Sequence, residues 1–515
     1  MTALDQALAR LPLAHPGPGG AVAVLKEGQV LARHTWGYAD IATRLPFTPA
    51  TLFRICSITK QFTCALAREL FPDLEPLNAP IRAAQPLLGA NTPSALHMAH
   101  NQSGLRDYWA TAMLSGAPVE GHFADAEAAA LIARTESLHF TPGTQYSYCN
   151  QNFRLIGEAV EQLTGRGFAE LLRAHVFDPA GLPTARLCAD TSAMPDGTIG
   201  YEGSLEVGFR PAVNNIIWTG DAGIGASLDD MIAWERFIDA TRDQPDSLYH
   251  RLTVPVSFAD GNMAGYGFGL GRPVLFGHPA SSHGGALRGW RSFRCYLPGP
   301  RISVVVLFNH MGAAHVAGMD LLRAALGQDD SHPSPQALPD SRLPGTYLDT
   351  ENGLIARIET AGPGQLRLHY AQNPELLDRQ ADDSAGTGGT TLRRGGDGIT
   401  MHRAADNRTT RLIPATGPAD TDLAGRYHNA ELDAVFTCTT EGGIAYGAFS
   451  GPLGQGEMQI LQPDAAGLWR LPMPRALDHT PPGDWTLRVL RDGTGRISAI
   501  EIGCWLARQV MFTRI

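Results

Sequence analysis

The chain has 515 residues with 41 basic and 51 acidic side chains, a formal charge of −10. Its length points to about three domains, and its 43% apolar and 18% charged composition is that of folded domains rather than of a disordered chain. The acidic balance removes any electrostatic reason to expect nucleic acid or an anionic membrane as a partner.

In chain order, residues 1–10 lack the basic start and unbroken apolar run of a secretory signal, and no later run approaches the length of a membrane span. Two β-rich runs, 21–25 and 29–34, flank Lys26-Glu27-Gly28 and predict a hairpin. Ile58, Phe62, Ala65 and Leu66 recur at helical spacing and predict a helix over 57–70; further helices are expected over 152–164 and 228–240. The apolar run 301–308 reads as a central strand, and 313–326 as a helix closing the first domain. Residues 328–342 are polar and Pro-rich, as in a linker. Beyond them helical periodicity gives way to short alternating strands. Leu343-Pro-Gly345-Thr-Tyr347 is echoed eighty positions later by Leu423-Ala-Gly425-Arg-Tyr427. A repeat of that period in β-rich sequence predicts two copies of one small antiparallel domain. The expected division is 1–331, 338–416 and 418–515, with the second boundary near 414–421.

The seven cysteines are scattered, odd in number and free of CxxC or Cys/His ligand spacing. They read as reduced, buried thiols of a cytoplasmic protein. Cys56, Cys64 and Cys149 flank the motifs below, and packing is the expected role of each.

Only two of the 41 basic residues are lysine, Lys26 and Lys60. Compositional bias is a sufficient cause of the scarcity, and Lys26 reads as an exposed turn residue. Lys60 is different, because it follows Ser57 by three positions in Ser57-Ile-Thr-Lys60. On a helix these positions share a face, so a hydroxyl can meet an amine, and a buried lysine can lose its proton where arginine cannot. Ser57 at the helix start also lies where backbone N–H groups favour developing negative charge. Tyr148-Cys-Asn150 offers a phenol able to share a proton with a neighbouring lysine, and an amide for a substrate carbonyl. His283-Gly284-Gly285-Ala286 places two glycines on a strand, which permits close backbone approach by a ligand. The Ala286 N–H can then pair with that of Ser57 as an oxyanion hole.

Taken together and in this order, S-x-x-K, Y-x-N and H-x-G resemble the penicillin-recognising serine hydrolases, which include class C β-lactamases and D,D-peptidases. His100-Asn-Gln-Ser-Gly-Leu105, Pro142-Gly-Thr, Asp178-Pro-Ala-Gly-Leu182 and Tyr266-Gly-Phe-Gly-Leu270 match connecting segments of that family, over roughly residues 15–327. The whole chain resembles its bacterial D-aminopeptidase branch, through residues 55–64, 101–109, 283–290 and 503–508. The resemblance implies an α+β fold, in which a β-lactamase/D,D-peptidase-like domain (an antiparallel sheet flanked by helices) is followed by two small antiparallel β-barrels. It implies a serine aminopeptidase that releases N-terminal D-residues such as D-Ala from peptides, amides and esters through an acyl-enzyme, as a homodimer, without metal or cofactor.

By the same resemblance Ser57 is the nucleophile, Lys60 and Tyr148 carry the proton, and Ser57 and Ala286 hold the oxyanion. His283 is catalytic, standing where other members carry Lys; it is a weaker, pH-dependent cation there. Asn150, Gly284 and Gly285 bind substrate. The segment 474–484 matches a loop that enters the active site, with Asp478 on the substrate amine. Position 271, which carries Asn near that amine in the D-aminopeptidase compared, is Gly271 here. A related esterase, D,D-carboxypeptidase or β-lactamase is an alternative, as is a slowly turning-over ligand-acylated sensor module.

Overall fold

The strand with the longest apolar run takes the centre of the first sheet. In the computed structural model, which describes residues 2–328, 341–473, 475–478 and 483–515, Ile302–Phe308 pairs antiparallel with Gly19–Lys26 on one side and Trp290–Leu297 on the other. The sheet has eight strands: Leu45–Pro46, Gln29–Asp40, Gly19–Lys26, Ile302–Phe308, Trp290–Leu297, Ser281–Leu287, Leu270–Gly271 and Tyr266–Gly267, in that spatial order. Val304, Val306 and Phe308 share a core with Val22, Val24 and helix residues Leu11, Leu321 and Leu322. Val305 and Leu307 face the opposite core, with Ala21, Ala23 and Phe62. Burial of both faces is why this strand reads as an unbroken apolar run rather than an alternation.

The predicted hairpin, the helices (observed as Gln151–Thr164, Leu228–Thr241 and Ala314–Leu326) and the central strand are all present. The predicted helix over 57–70 begins differently. Cys56–Ile58 is a 3-10 turn, and the α-helix proper is Thr59–Leu70. Cys56 adopts φ 51°, a left-handed conformation that bends the chain just before Ser57.

Ser281–Leu287 pairs with Trp290–Leu297 over its whole length but with Leu270–Gly271 only at Ser282. From His283 onward its outer edge is unpaired among the described residues, and that edge borders the site.

The repeat is a structural one. Gly345–Asp349 and Gly425–Asn429 each open a barrel, and the Tyr347 and Tyr427 hydroxyls donate to the carbonyls of Leu343 and Leu423 at 2.9 and 2.7 Å. Eight strands between Gly345 and Pro414 close a barrel. The second ladder, from Gly425 to Arg514, is a ten-stranded sheet curled into a half-barrel, with no pairing between its end strands among the described residues. Gln459–Ile460 pairs with Ile444–Gly451, Gln462–Ala465 continues the same chain segment onto Leu468–Leu471, and Gly425–Asn429 pairs with Ala507–Arg514. Most of the expected linker, 329–340, lies outside the described residues.

Both barrels pack on the first domain. Asn407, at φ 54° in a turn of the first barrel, donates to Thr144 O at 3.0 Å and Asp260 Oδ2 at 2.9 Å. From the second barrel, Leu506 O accepts from Asp107 N at 3.0 Å.

Candidate active site

The 3-10 turn and the helix it feeds put Ser57 and Lys60 side by side. Lys60 is fully buried, and its Nζ donates to Ser57 Oγ at 3.1 Å, Asn150 Oδ1 at 2.8 Å and Asp221 O at 2.7 Å. Burial pushes its pKa down to about 8, while the charges of Asp221, Asp107 and Asp478 resist the fall. Two of the three partners are pure acceptors that hold N–H bonds in either protonation state. The third position, towards Ser57, is where the lone pair of the neutral amine falls.

Tyr148 completes the group. Its hydroxyl lies near enough to Ser57 for the serine to oppose the rise in its pKa, and the centre of its ring lies 4.9 Å from Lys60 Nζ. Of the two forms that proton sharing with Lys60 could favour, phenolate or neutral amine, burial favours the second: it raises the phenol well above its ordinary value and lowers the lysine.

Asn150 is also more committed than expected. Its Nδ2 donates to Asp107 Oδ2 at 2.9 Å while its Oδ1 takes the Lys60 bond, so both ends of the amide serve the lysine's surroundings. His283 is half-buried and is disfavoured as a cation. Burial and the Lys60 charge depress its pKa to about 3. Its Nδ1 faces Gly284 O at 2.6 Å and must donate, which leaves Nε2 to accept from the Tyr266 hydroxyl at 3.1 Å.

Gly285 lines the cavity and also meets a packing need. A Cβ there would lie 2.2 Å from both Ile55 O and Ser292 Oγ, so its absence lets the strand close on the nucleophile turn. Gly284 is open, its nearest such contact being Ser292 O at 3.6 Å. Gly271 pairs with Ser282 and has ordinary room for a side chain, with 3.4 Å to Ser282 O. The flanking cysteines are buried thiols, all with raised pKa values, Cys56 to about 12.

These groups open onto a cavity of about 670 Å³ that brings Ser57, Tyr148, Asn150, His283, Ala286 and Asp478 together. Asp478 is half-buried, and its backbone O accepts from Arg288 N at 3.0 Å. The buried Arg288 guanidinium also donates to Ala476 O, and Arg475 pairs with Glu120 and Glu202 at 2.8 and 2.9 Å. This end of the loop is thereby clamped to the turn that follows the strand Ser281–Leu287 and to Glu120 and Glu202. Pro474 and residues 479–482 of the loop lie outside the described residues.

The Beta-lactamase family model matches residues 4–328, and the model of D-aminopeptidase, domain B, matches residues 336–513. The D-aminopeptidase of Gluconobacter oxydans (strain 621H) is 55% identical over 99% of this chain and 98% of its own length. The chain belongs to the D-aminopeptidase family. Another member, the D-aminopeptidase of Brucella anthropi, is 43% identical over 100% of this chain and 98% of its own. The fold is shared more widely. The octameric penicillin-binding protein homologue from Pyrococcus abyssi superposes with a TM-score of 0.54 at 20% identity, covering 79% of this chain and 98% of its own. The penicillin binding protein from Bacillus halodurans gives 0.52 at 21% identity, covering 64% and 99%.

Against the family's motifs, sequence reasoning passed over two acids of this D-aminopeptidase family member. Asp221 supplies a backbone carbonyl to Lys60 and a carboxylate to the Tyr108 hydroxyl at 2.6 Å. Asp107 holds Asn150. Its only sequence signal was its place just before a helix, Tyr108–Leu114, where an Asp side chain caps Trp109 N at 3.0 Å. Gln372 and Asp406, which the first barrel adds to the cavity wall, carried no signal.

Proposed function

We propose that this chain is a serine aminopeptidase that removes N-terminal D-residues from small peptides, amides and esters. The observation that carries the reading is the contact between Lys60 Nζ and Ser57 Oγ at 3.1 Å, made by a buried amine with a pKa near 8 and opening onto the cavity that Asp478 lines. The D preference rests on the family.

In this mechanism neutral Lys60 takes the Ser57 proton as Oγ attacks the substrate carbonyl carbon. The N–H groups of Ser57 and Ala286 hold the oxyanion. As the tetrahedral intermediate collapses, the C–N bond breaks, and Tyr148 passes a proton to the leaving nitrogen while taking one from Lys60. An acyl-enzyme remains. Water then attacks the ester, its proton returns through the same pair, and Ser57 leaves with a proton restored. The Asp478 carboxylate meets the substrate ammonium. Neutral His283 acts by positioning Tyr266 and the edge strand rather than by charge. We also assign the enzyme to the cytoplasm, on its seven buried free thiols, and infer a homodimer from the resemblance to its family.

Assay of D-Ala and L-Ala p-nitroanilides, each with free and acetylated amine, tests the reading. Turnover of the free D form alone is expected. Equal rates on the acetylated form would replace it with an esterase or general amidase. Asp478→Asn should lower kcat/KM for D-Ala p-nitroanilide by about tenfold or more, the cost of losing a charge-assisted contact; an unchanged value would remove Asp478 from amine recognition.

A further inference from the structure

Asp107 sits in the wall of the catalytic cavity, fully buried, yet no step above uses its carboxylate. Its Oδ2 accepts from Asn150 N at 2.6 Å and from Asn150 Nδ2 at 2.9 Å, and its Oδ1 accepts from Trp109 N at 3.0 Å. Burial raises the Asp107 pKa to about 7, still below the value at which Lys60 gives up its proton, so in the working range the group is a carboxylate that can only accept, and the amide end of Asn150 facing it must be the NH2 group. The carbonyl end then has one orientation left, towards Lys60, where it takes the 2.8 Å bond. We propose that Asp107 is a positioning residue of the hydrolytic reaction, locking the Asn150 amide so that its oxygen restrains the lysine while the lone pair is left for Ser57.

The inference rests on the Ser57–Lys60 assignment above and adds a second layer behind it. Without Asp107, nothing on that side of Asn150 discriminates the two amide orientations. The flipped amide would present N–H to the amine, which both repels the ammonium form and competes for the lone pair. The carboxylate also acts through its field. The charged and titratable groups around Lys60 are Asp221, Asp107 and Asp478, which favour its protonated form, together with Cys56, Cys64, Cys149, Tyr148 and His283, all of which are neutral. Removing Asp107 therefore lowers the lysine pKa by both routes. Its N–H is bonded to Leu506 O, so the second barrel helps hold the lock.

A purely structural role, capping helix Tyr108–Leu114, makes a different prediction, and Asp107→Ser separates the two. Serine keeps the cap but withdraws the carboxylate from Asn150. Acylation of Ser57 by p-nitrophenyl acetate, followed against pH, reads the lysine without depending on the D-aminopeptidase assignment. Asp107→Ser should lower the plateau rate by about tenfold to a hundredfold, as for a misplaced catalytic group. It should also move the acid limb down by about one pH unit, the usual effect of removing one nearby charge. In an Asn150→Ala background the same change should cost far less, because Asp107 then has nothing to orient. An unmoved acid limb with a wild-type plateau, or full additivity with Asn150→Ala, would overturn the proposal. Absence of any wild-type reaction with the ester would instead overturn the assignment of Ser57.

Discussion

At Lys60, burial does what charge alone would not: it brings an amine near neutrality beside a serine. The direction fixes the pH dependence. Below a pKa of about 8 the amine is protonated and cannot accept the Ser57 proton, so kcat/KM should rise as pH increases through that value. Two pH units lower it should stand at about one-hundredth of its plateau, and a profile flat between pH 6 and 9 would contradict the base assignment. Lys60→Arg keeps a cation but cannot give up its proton. Turnover should vanish while the fold survives, read by circular dichroism and loss of p-nitroanilide hydrolysis. Gly271→Asn fits the room observed at that position and should lower KM for substrates with a free amine without changing kcat. Ser57, Lys60 and Tyr148 were legible because their motifs are short and contiguous. Asp107 and Asp221 were not, because their bonds to Asn150 and Lys60 span 43 and 161 positions of chain. Periodicity and spacing see only local order, and the protonation states of Tyr148 and His283 depend on burial that no motif encodes.

Among elements, the edge strand Ser281–Leu287 and the turn Cys56–Ile58 act as one unit. Ser292 Oγ donates to Ile55 O at 2.9 Å, across the gap that Gly285 leaves open. Gly285→Ala would push a methyl group into that carbonyl and displace the turn bearing Ser57. We expect kcat/KM to fall by about a hundredfold, the cost of misplacing a reacting group by about 1 Å. The stability loss should be about 1–3 kcal/mol by urea titration, as for overpacking. A wild-type rate would show that the turn has slack. The helices and the central strand were readable from their apolar periods. The 3-10 opening was not, because the left-handed Cys56 is set by contacts from outside the helix. The glycine pair was legible, but the packing of Gly285 against Ile55 O was not, because that contact comes from a distant part of the chain.

For the whole molecule, the repeat predicts equal energetics in two places. Tyr347→Phe and Tyr427→Phe each delete one buried hydroxyl-to-carbonyl bond at the same barrel position. Each should cost about 0.5–1.5 kcal/mol in urea unfolding, leaving the carbonyl partly rehydrated, with kcat unchanged. Asn407→Gly preserves the left-handed turn but removes the amide that ties the first barrel to Thr144 and Asp260. It should raise KM more than it lowers kcat, because the groups that move the proton lie on the other side of that seam. The antiparallel barrels were visible in the sequence through the Leu-x-Gly-x-Tyr echo. Their docking on the first domain was not, since it depends on turns with no pattern of their own.

That seam has a consequence for how the enzyme fails. Ser57, Lys60, Tyr148 and Asn150 all belong to the first domain, while Asp478 is lent by the second barrel and held by Arg288. On the proposed role of Asp478, discrimination and chemistry should fail at separate temperatures. As the protein is warmed, the ratio of activity on free over acetylated D-Ala p-nitroanilide should fall towards one before total hydrolysis collapses, so that the molecule becomes indiscriminate before it becomes inert.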